Sequence, residues 1–435
     1  MQRIKNYINQ ASKSRFAKDL GIVFSENIIT KCLNFTIILI LTRVLGPSDY
    51  GKYSFIFVTM AFCSAFFDFG MENTAVRFSN KEKGIKNTVF GLYFFTKFLI
   101  VSVVVLVLTF FGKEIFMLAG KQEITRYIPY LIIGLVGESL FFINDTYLQA
   151  VQKFKLRAVI NISRYLVCLF YIVILFFKKI VLLKYVFYMY FIPLGISLFF
   201  TPKYIEFIKS YIQNKISKNL LAEIRDYEKW MFNLSISMNI LSRIDFFMLS
   251  FWVSYVQIGI YNAAFQLCSI VSFLPYVFSK VMLPKMAELT DNEVFNLIRK
   301  ITKPLIFVCI IVICFIPLTD IAVPFLLGDK YNESIIILKI LLVGFLMSFM
   351  SVPFEQAFYS LGKPKLITIG RYLQILIIFI LNIFTIPKYG IISAAINVLI
   401  ARIIFLSTIG LLFLEQKKKF VQNNFNYTES GGNKK

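Results

Sequence analysis

Tyr147–Leu156, YLQAVQKFKL, closes the fourth long apolar run of the chain, and Ala357–Leu366, AFYSLGKPKL, closes the tenth. The two stretches lie about 209 residues apart, and two further pairs share nearly that offset. Tyr50-Gly51-Lys52-Tyr53 follows the first run, and Ile258-Gly259-Ile260-Tyr261 follows the seventh. Phe116-Met117-Leu118-Ala119-Gly120-Lys121 leads into the fourth run, and Phe325-Leu326-Leu327-Gly328-Asp329-Lys330 leads into the tenth. Each match is weak alone. Their common offset predicts a duplicated six-helix unit, a frequent design among transporters.

The apolar runs set the class. Of 435 residues, 58% are hydrophobic, and the mean hydropathy is +0.71, far above that of soluble globular chains. A bilayer takes roughly 20 apolar residues per helix. On that measure about twelve spans are expected, at 20–42, 50–70, 88–111, 127–151, 157–177, 181–201, 229–251, 258–283, 303–327, 333–357, 366–386 and 391–414. Alternating strands with Gly-rich turns do not recur, which argues against a β-barrel. The fold class is therefore an all-α polytopic membrane protein, with two six-helix halves. Six is even, so both halves enter the membrane in the same direction and the repeat is parallel.

Charge gives the orientation. The net charge is +23. With the N-terminus inside, about 31 of the Lys and Arg residues fall on inside segments, about 10 outside and about 6 within spans, the asymmetry of the positive-inside rule. Both termini are then expected in the cytoplasm. The basic excess faces anionic lipid headgroups, and no nucleic-acid-binding fold signal accompanies it. Residues 1–19 are basic and amphipathic without a cleavage site, and read as an interfacial helix, not a signal peptide. Residues 20–201 form the first bundle, 202–228 a cytoplasmic amphipathic linker, 229–414 the second bundle and 415–435 a polar, disordered tail. No outer loop is long enough to fold as a catalytic domain.

The six cysteines (Cys32, Cys63, Cys168, Cys268, Cys309, Cys314) all lie in apolar spans without a CxxC pair and read as small core residues. The chain has no histidine, which excludes His-based acid–base chemistry and His metal ligation. No catalytic residue, metal site or cofactor is expected.

A charge at membrane depth costs roughly 2.5–3.5 kcal/mol on insertion scales, so it needs a partner or water. In span one Glu26, Lys31 and Asn34 interrupt an apolar helix, with Lys31 and Asn34 on a shared face. Span seven is the most polar, and the repeat sets its Asn239 at the position of Lys31. Arg243 and Asp245 face different sides of that helix, so each needs another helix or an aqueous cavity. Structural ion pairing and cavity lining both remain open for them. Span four carries Glu138, Asp145, Gln149 and Gln152 on one stripe. Asp145 matches Glu355 of span ten by the repeat. The two acids are candidates for Na+ or H+ coupling, or for salt bridges to Arg164 or Arg371. Arg402 sits halfway along span twelve; Lys97 and Lys339 are weaker candidates. Asp68 and Glu72, followed by Arg77, form either a gate of ion pairs or a plain helix-end cluster, and the cluster is favoured. Pro275, Pro317, Pro324 and Pro353 permit kinks.

Leu41-Thr42-Arg43-Val44-Leu45-Gly46-Pro47-Ser48-Asp49-Tyr50-Gly51 resembles the R-x-L-G-P-x-x-Y-G signature of Wzx-type polysaccharide flippases. These belong to the MATE-like exporter superfamily for multidrug, oligosaccharidyl-lipid and polysaccharide substrates. Asp68–Phe78, Tyr147–Ala150 with Phe154-Lys155, Ile258–Ala264 and Phe325–Tyr331 are similar to that family's later motifs, in order along the chain. The resemblance implies two six-helix bundles around a central cavity. It implies transport of undecaprenyl-diphosphate-linked oligosaccharides from the inner to the outer leaflet by alternating access, for O-antigen, capsule or exopolysaccharide. Lys31, Arg164, Arg243 and Arg402, with Asn34 and Asn239, would then contact diphosphate and sugar. Glu26, Asp68, Glu72, Arg77, Glu138, Asp145, Asp245 and Glu355 would serve ion coupling or gating. The implied partners are the lipid-linked substrate, membrane lipids, and the glycan polymerase and chain-length regulator of the pathway. A cation-coupled drug exporter of the same superfamily is the rival; it would favour acids over bases in its cavity. A membrane-embedded glycan polymerase is the remote alternative, and the chain has neither a large outer loop nor a histidine to support it.

Overall fold

The computed structural model describes residues 15–431, apart from 80, 82–83, 215 and most of 272–290. Every regular element among them is helical: α1 Arg15–Phe66, α2 Met71–Phe78, α3 Lys86–Leu118, α4 Ile128–Ala150, α5 Phe154–Phe177, α6 Leu183–Val186, α7 Phe191–Leu198, α8 Thr201–Gln213, α9 Lys218–Trp252, α10 Tyr255–Val271, α11 Asp291–Phe315, α12 Thr319–Leu327, α13 Ser334–Ser360 and α14 Pro364–Gly431. Short 3-10 turns join several of them. Residues 1–14 of the expected interfacial segment lie outside the described residues.

Eight described helices are long and apolar enough to cross a membrane. Two of the eight hold two expected spans each. Helix α1 breaks at Gly46 (φ 68°, ψ 173°) before Pro47, and α14 breaks at Gly390 (φ 60°, ψ −138°). Only glycine adopts such angles without strain. The sixth span is made of α6 and α7, and α8 leaves it at 59°. The eighth expected span runs past α10 into residues outside the described set. Pro317 sits in a 3-10 turn between α11 and α12, where its missing N–H does least harm. Helix α14 carries on through 415–431, where the sequence reading expects disorder. The run Glu415-Gln416-Lys417-Lys418-Lys419 consists of straight-chain residues with little helix penalty.

The chain divides into two compact units, residues 1–239 and 240–435. The boundary lies inside α9, which has no Gly or Pro to interrupt it. The expected linker, 202–228, holds α8 and the start of α9 within the first unit.

The repeat is written in the backbone. Helix α4 ends with Gln152 N–H bonded to the Gln149 carbonyl and Lys153 N–H to Leu148. Helix α13 ends with Gly362 N–H bonded to Tyr359 and Lys363 N–H to Phe358. Both stops need one left-handed residue, Gln152 (φ 57°) and Gly362 (φ 68°), as in a Schellman cap. Gln152 is therefore part of a turn, not of the polar stripe on α4. These two helices are also the most buried spans: 56% of each apolar window is buried, against 33% or less in every other candidate span. Each unit is thus organised around its fourth span.

In the first unit that centre is tight. A Cβ on Gly134 would lie 2.3 Å from the Met60 sulfur, and one on Gly137 2.9 Å from the Leu194 backbone nitrogen. On α3, a Cβ on Gly91 would lie 2.4 Å from the Phe207 carbonyl oxygen of α8. Gly91→Ala must therefore push α8 away, and is expected to cost about 1–3 kcal/mol, read as a fall in the thermal midpoint of the detergent-purified protein. In the second unit the two arms of α14 are tied across the Gly390 break. The Asn397 amide donates to Asn382 Oδ1 (2.8 Å) and Thr385 Oγ1 (2.7 Å). Such amide contacts hold helices together in lipid, where apolar attraction between them is weak. Cys168, Cys268 and Cys309 are buried as expected, whereas Cys32 and Cys314 are exposed on their helices.

Candidate substrate-binding site

Among the described residues, charged side chains at membrane depth gather at several places. The largest gathering surrounds a cavity of about 420 Å³ in the first unit. Glu26, Thr30 and Asn34 reach it from α1, Glu138 and Asp145 from α4, and Arg157, Asn161 and Arg164 from α5. The steps of four residues keep the α1 group on one stripe, and the step of seven does so on α4.

Arg157 is the hub. Its Nε donates to Asp145 Oδ1 (2.7 Å) and its Nη2 to Oδ2 (2.8 Å), the bidentate fit that a guanidinium offers a carboxylate. Its Nη1 also lies 3.8 Å from Glu26 Oε2. The Asn161 amide joins the same two acids, at 2.6 Å from Glu26 and 2.9 Å from Asp145. Arg164 pairs with Glu138 and lies 4.5 Å from the centre of the Phe141 ring, a cation–π contact. Two guanidiniums thus hold three carboxylates beside one cavity. The sequence reading offered Arg164 as a partner of Asp145; the structure gives Asp145 to Arg157. The turn at 151–153 reverses the chain, so the first turn of α5 returns against the last turn of α4. Arg157 and Asn161 were not singled out. The repeat could have found Asn161, because it stands at the position of Arg371.

Lys31 is exposed on α1 and does not line this cavity, although Asn34 does. Residues three apart on a helix are still separated by roughly 60° around its axis, enough to put one on the cavity and the other off its edge.

A second set of charged side chains is spread through the second unit. Glu355 accepts from Arg371 Nη2 (2.9 Å) and from Ser351 Oγ (2.8 Å), as one of the two sequence alternatives had it. Asp245, 4% exposed, accepts from the Tyr261 hydroxyl. Arg243 lies 4.1 Å from the centre of the Phe265 ring. Arg402 packs against Gly344, where a Cβ would stand 3.5 Å from its guanidinium. Arg243 and Arg402 are both close enough to act electrostatically on Tyr261. Asp245 bonds Tyr261, and Arg243 acts on it electrostatically, so the two charges, two residues apart, converge on one phenol. Asn239 belongs to the first unit and donates to the Ala65 carbonyl (3.1 Å).

The third gathering is at the end of α1. Asp68 accepts from Lys97 Nζ (2.7 Å), the Tyr93 hydroxyl (2.9 Å) and the Glu72 N–H (3.1 Å). Arg77 takes no part in it: it is exposed and stacks on Tyr227 at 4.3 Å. The three groups named in the sequence as one cluster are therefore split, because Asp68 lies in a turn before α2 and Arg77 leaves from the far end of α2.

Residues 16–290 match a family model described as polysaccharide biosynthesis protein. The capsular polysaccharide biosynthesis protein CapF of Staphylococcus aureus is 24% identical over 401 residues, 89% of this chain and 97% of its own length. Among solved structures, the lipid II flippase MurJ in an inward closed conformation matches with a TM-score of 0.70 at 18% identity, over 89% of this chain and 86% of MurJ. A multidrug resistance MATE family transporter of the MOP superfamily, inward-facing, matches with a TM-score of 0.71 at 12% identity, over 90% of this chain and 96% of its own.

Proposed function

The chain belongs to the polysaccharide biosynthesis protein family, and from that premise we propose that it is a flippase for polyprenyl-diphosphate-linked oligosaccharides. It carries them from the inner to the outer leaflet of a bacterial cytoplasmic membrane, with both termini in the cytoplasm. The fold is shared by a lipid flippase and a drug exporter, so the fold does not choose between them. The family match does, because it ties the chain to polysaccharide. The polar cavity beside Arg157 and Arg164 is the observation that carries the reading to a mechanism.

A diphosphate is recognised by guanidinium groups that can be drawn from other partners. Here the guanidiniums are held in place by Asp145, Glu26 and Glu138. An arriving diphosphate competes with these carboxylates for the same donors. The released acids then need a proton or a Na+ ion, because a bare carboxylate at this depth is costly. Anion entry and cation entry are thereby linked. An inside-negative potential adds roughly 2.3 kcal/mol per charge per 100 mV to outward movement of the anion. In the second unit Arg243 and Arg402 supply two more cations around Tyr261. The polymerase and chain-length regulator that use the product are the expected pathway partners.

The direct test is flipping of a fluorescent undecaprenyl-diphosphate oligosaccharide in proteoliposomes. The wild type is expected to flip it, and Arg243→Ala to lose at least about tenfold, the effect of one charged hydrogen bond. A folded wild type that flips nothing but exports cationic dyes would overturn the reading. Coupling is tested in the same vesicles with Asp145→Asn, Glu138→Gln and Glu355→Gln under imposed Na+ or pH gradients. Gradient dependence should disappear in at least one of the first two; if all three respond as the wild type does, these acids carry no coupling ion.

A further inference from the structure

A second cavity of about 420 Å³ lies in the first unit, away from the charged one. Its size falls in the range of about 300–1,000 Å³ typical of small-molecule sites. Its walls are apolar: Met71 from α2, Val89 and Leu92 from α3, and Leu221, Ile224 and Phe232 from α9. Leu221 is 47% exposed and Phe232 39% exposed, so the walls open outward. The rim is basic. Arg225 and Lys229, one helical turn apart on α9, border the opening, and both are exposed.

The acid on this rim, Glu228, also lines the slot but is engaged by a partner of its own. Glu228 accepts from the Thr74 hydroxyl, and its other oxygen, Oε1, is buried without a hydrogen-bond partner. Lys229 has Asp226 at 3.1 Å, but both side chains are about two-thirds exposed, and such surface pairs are worth little. The opening therefore offers two cations above an apolar slot. It sits where α1 has just ended and α3 begins, at the level of the membrane interface, and the exposed Trp230 follows directly in sequence. Tryptophan favours that level.

We propose that this slot binds one anionic glycerophospholipid, with an acyl chain along Leu92 and Leu221 and its phosphate between Arg225 and Lys229. An interfacial lipid is a better fit than a soluble anion, because a soluble anion would leave the apolar walls unfilled. The site would fasten the short helix α2 to α9 and is separate from the polar cavity, so the proposal stands apart from the cargo.

Tryptophan fluorescence tests it. The chain has two tryptophans and neither lines the slot, so Trp230→Phe/Trp252→Phe/Phe232→Trp puts a single reporter in its wall. This variant, full length, is placed in vesicles containing brominated-acyl phosphatidylglycerol or brominated-acyl phosphatidylcholine at equal mole fraction. Phosphatidylglycerol should be preferred at position 232 by at least about fivefold, which corresponds to about 1 kcal/mol from one basic side chain. The preference should fall away in Arg225→Gln/Lys229→Gln, which removes the cations. It should also fall away in Thr96→Phe, which fills the slot and leaves the cations; Ala75→Leu, at another lining position, serves if Thr96→Phe does not fold. Equal quenching by the two lipids overturns the proposal. A preference that survives filling of the slot also overturns it, by reducing the effect to surface charge. Displacement of phosphatidylglycerol by a polyprenyl phosphate at a tenth of its mole fraction overturns it in favour of a carrier-lipid site.

Discussion

Arg164→Leu is expected to lower stability by about 3–5 kcal/mol, the usual loss when one partner of a buried ion pair is removed. Glu138 is 6% exposed, and it pairs with Arg164. The single variant leaves that buried carboxylate at the cavity wall without its cation. Arg164→Leu/Glu138→Leu removes both charges and should recover most of the thermal midpoint, since a buried pair replaced by apolar groups is often neutral or better. The two variants separate structure from transport. If Arg164 grips the diphosphate, flipping stays at least about tenfold down in the stable double variant. If the pair only holds α4 to α5, the double variant flips as the wild type does. Melting of purified protein and flipping in proteoliposomes give the two readouts.

Lys97→Met is expected to be comparably severe for folding, at about 3–5 kcal/mol. The Lys97 side chain is 1% exposed, and its ammonium meets Asp68 at 2.7 Å and the Ser64 carbonyl at 3.1 Å. Without it Asp68 keeps only the Tyr93 hydroxyl and the Glu72 N–H. Those neutral donors cannot offset a charge at that depth. The damage has a second route. Asp68 belongs to the turn that joins α1 to α2, where Phe69 (φ 53°) and Gly70 (φ 85°) are both left-handed. A non-glycine residue held there carries strain that its contacts must outweigh. Lys97→Met/Asp68→Asn should recover most of the loss. Arg77→Gln, by contrast, removes an exposed cation from the face of Tyr227 and should change the midpoint by no more than about 1 kcal/mol.

The helical membrane fold was legible because long apolar runs and the Lys/Arg asymmetry are properties of composition along the chain. The repeat was legible too, from three short matches, and its physical basis is the shared helix stop at 151–153 and 361–363. Glu26, Glu138, Asp145 and Arg164 of the site were found because charge is rare in spans, whereas Arg157, at the very start of span five, was missed. Their pairing was only partly found. Glu355 with Arg371 was one of the alternatives, whereas Tyr261 as a common neighbour of Asp245 and Arg243 was not foreseen. Asp145 was matched to the wrong arginine, because which turn of α5 returns against α4 depends on the geometry of the intervening bend. Lys97 was ranked low for a related reason. A lysine can snorkel or be buried, and only the packing of α3 against the end of α1 decides which. Lys31 shows the converse, a charge in an apolar span that lies off the cavity.

Two copies of one contact need not age alike. Asp145 and Asn161 in the first unit stand at the positions of Glu355 and Arg371 in the second. The second copy keeps its cation at that position, as a simple clamp. The first holds an amide there and takes its cation from Arg157, one helical turn earlier, where it also reaches Glu26. Loss of the cation in one copy therefore deprives a single acid of its counter-charge, and in the other it deprives two acids, left to share one amide. Two halves of common descent will tolerate inherited change very unequally, and the first half is where variation should be scarcest.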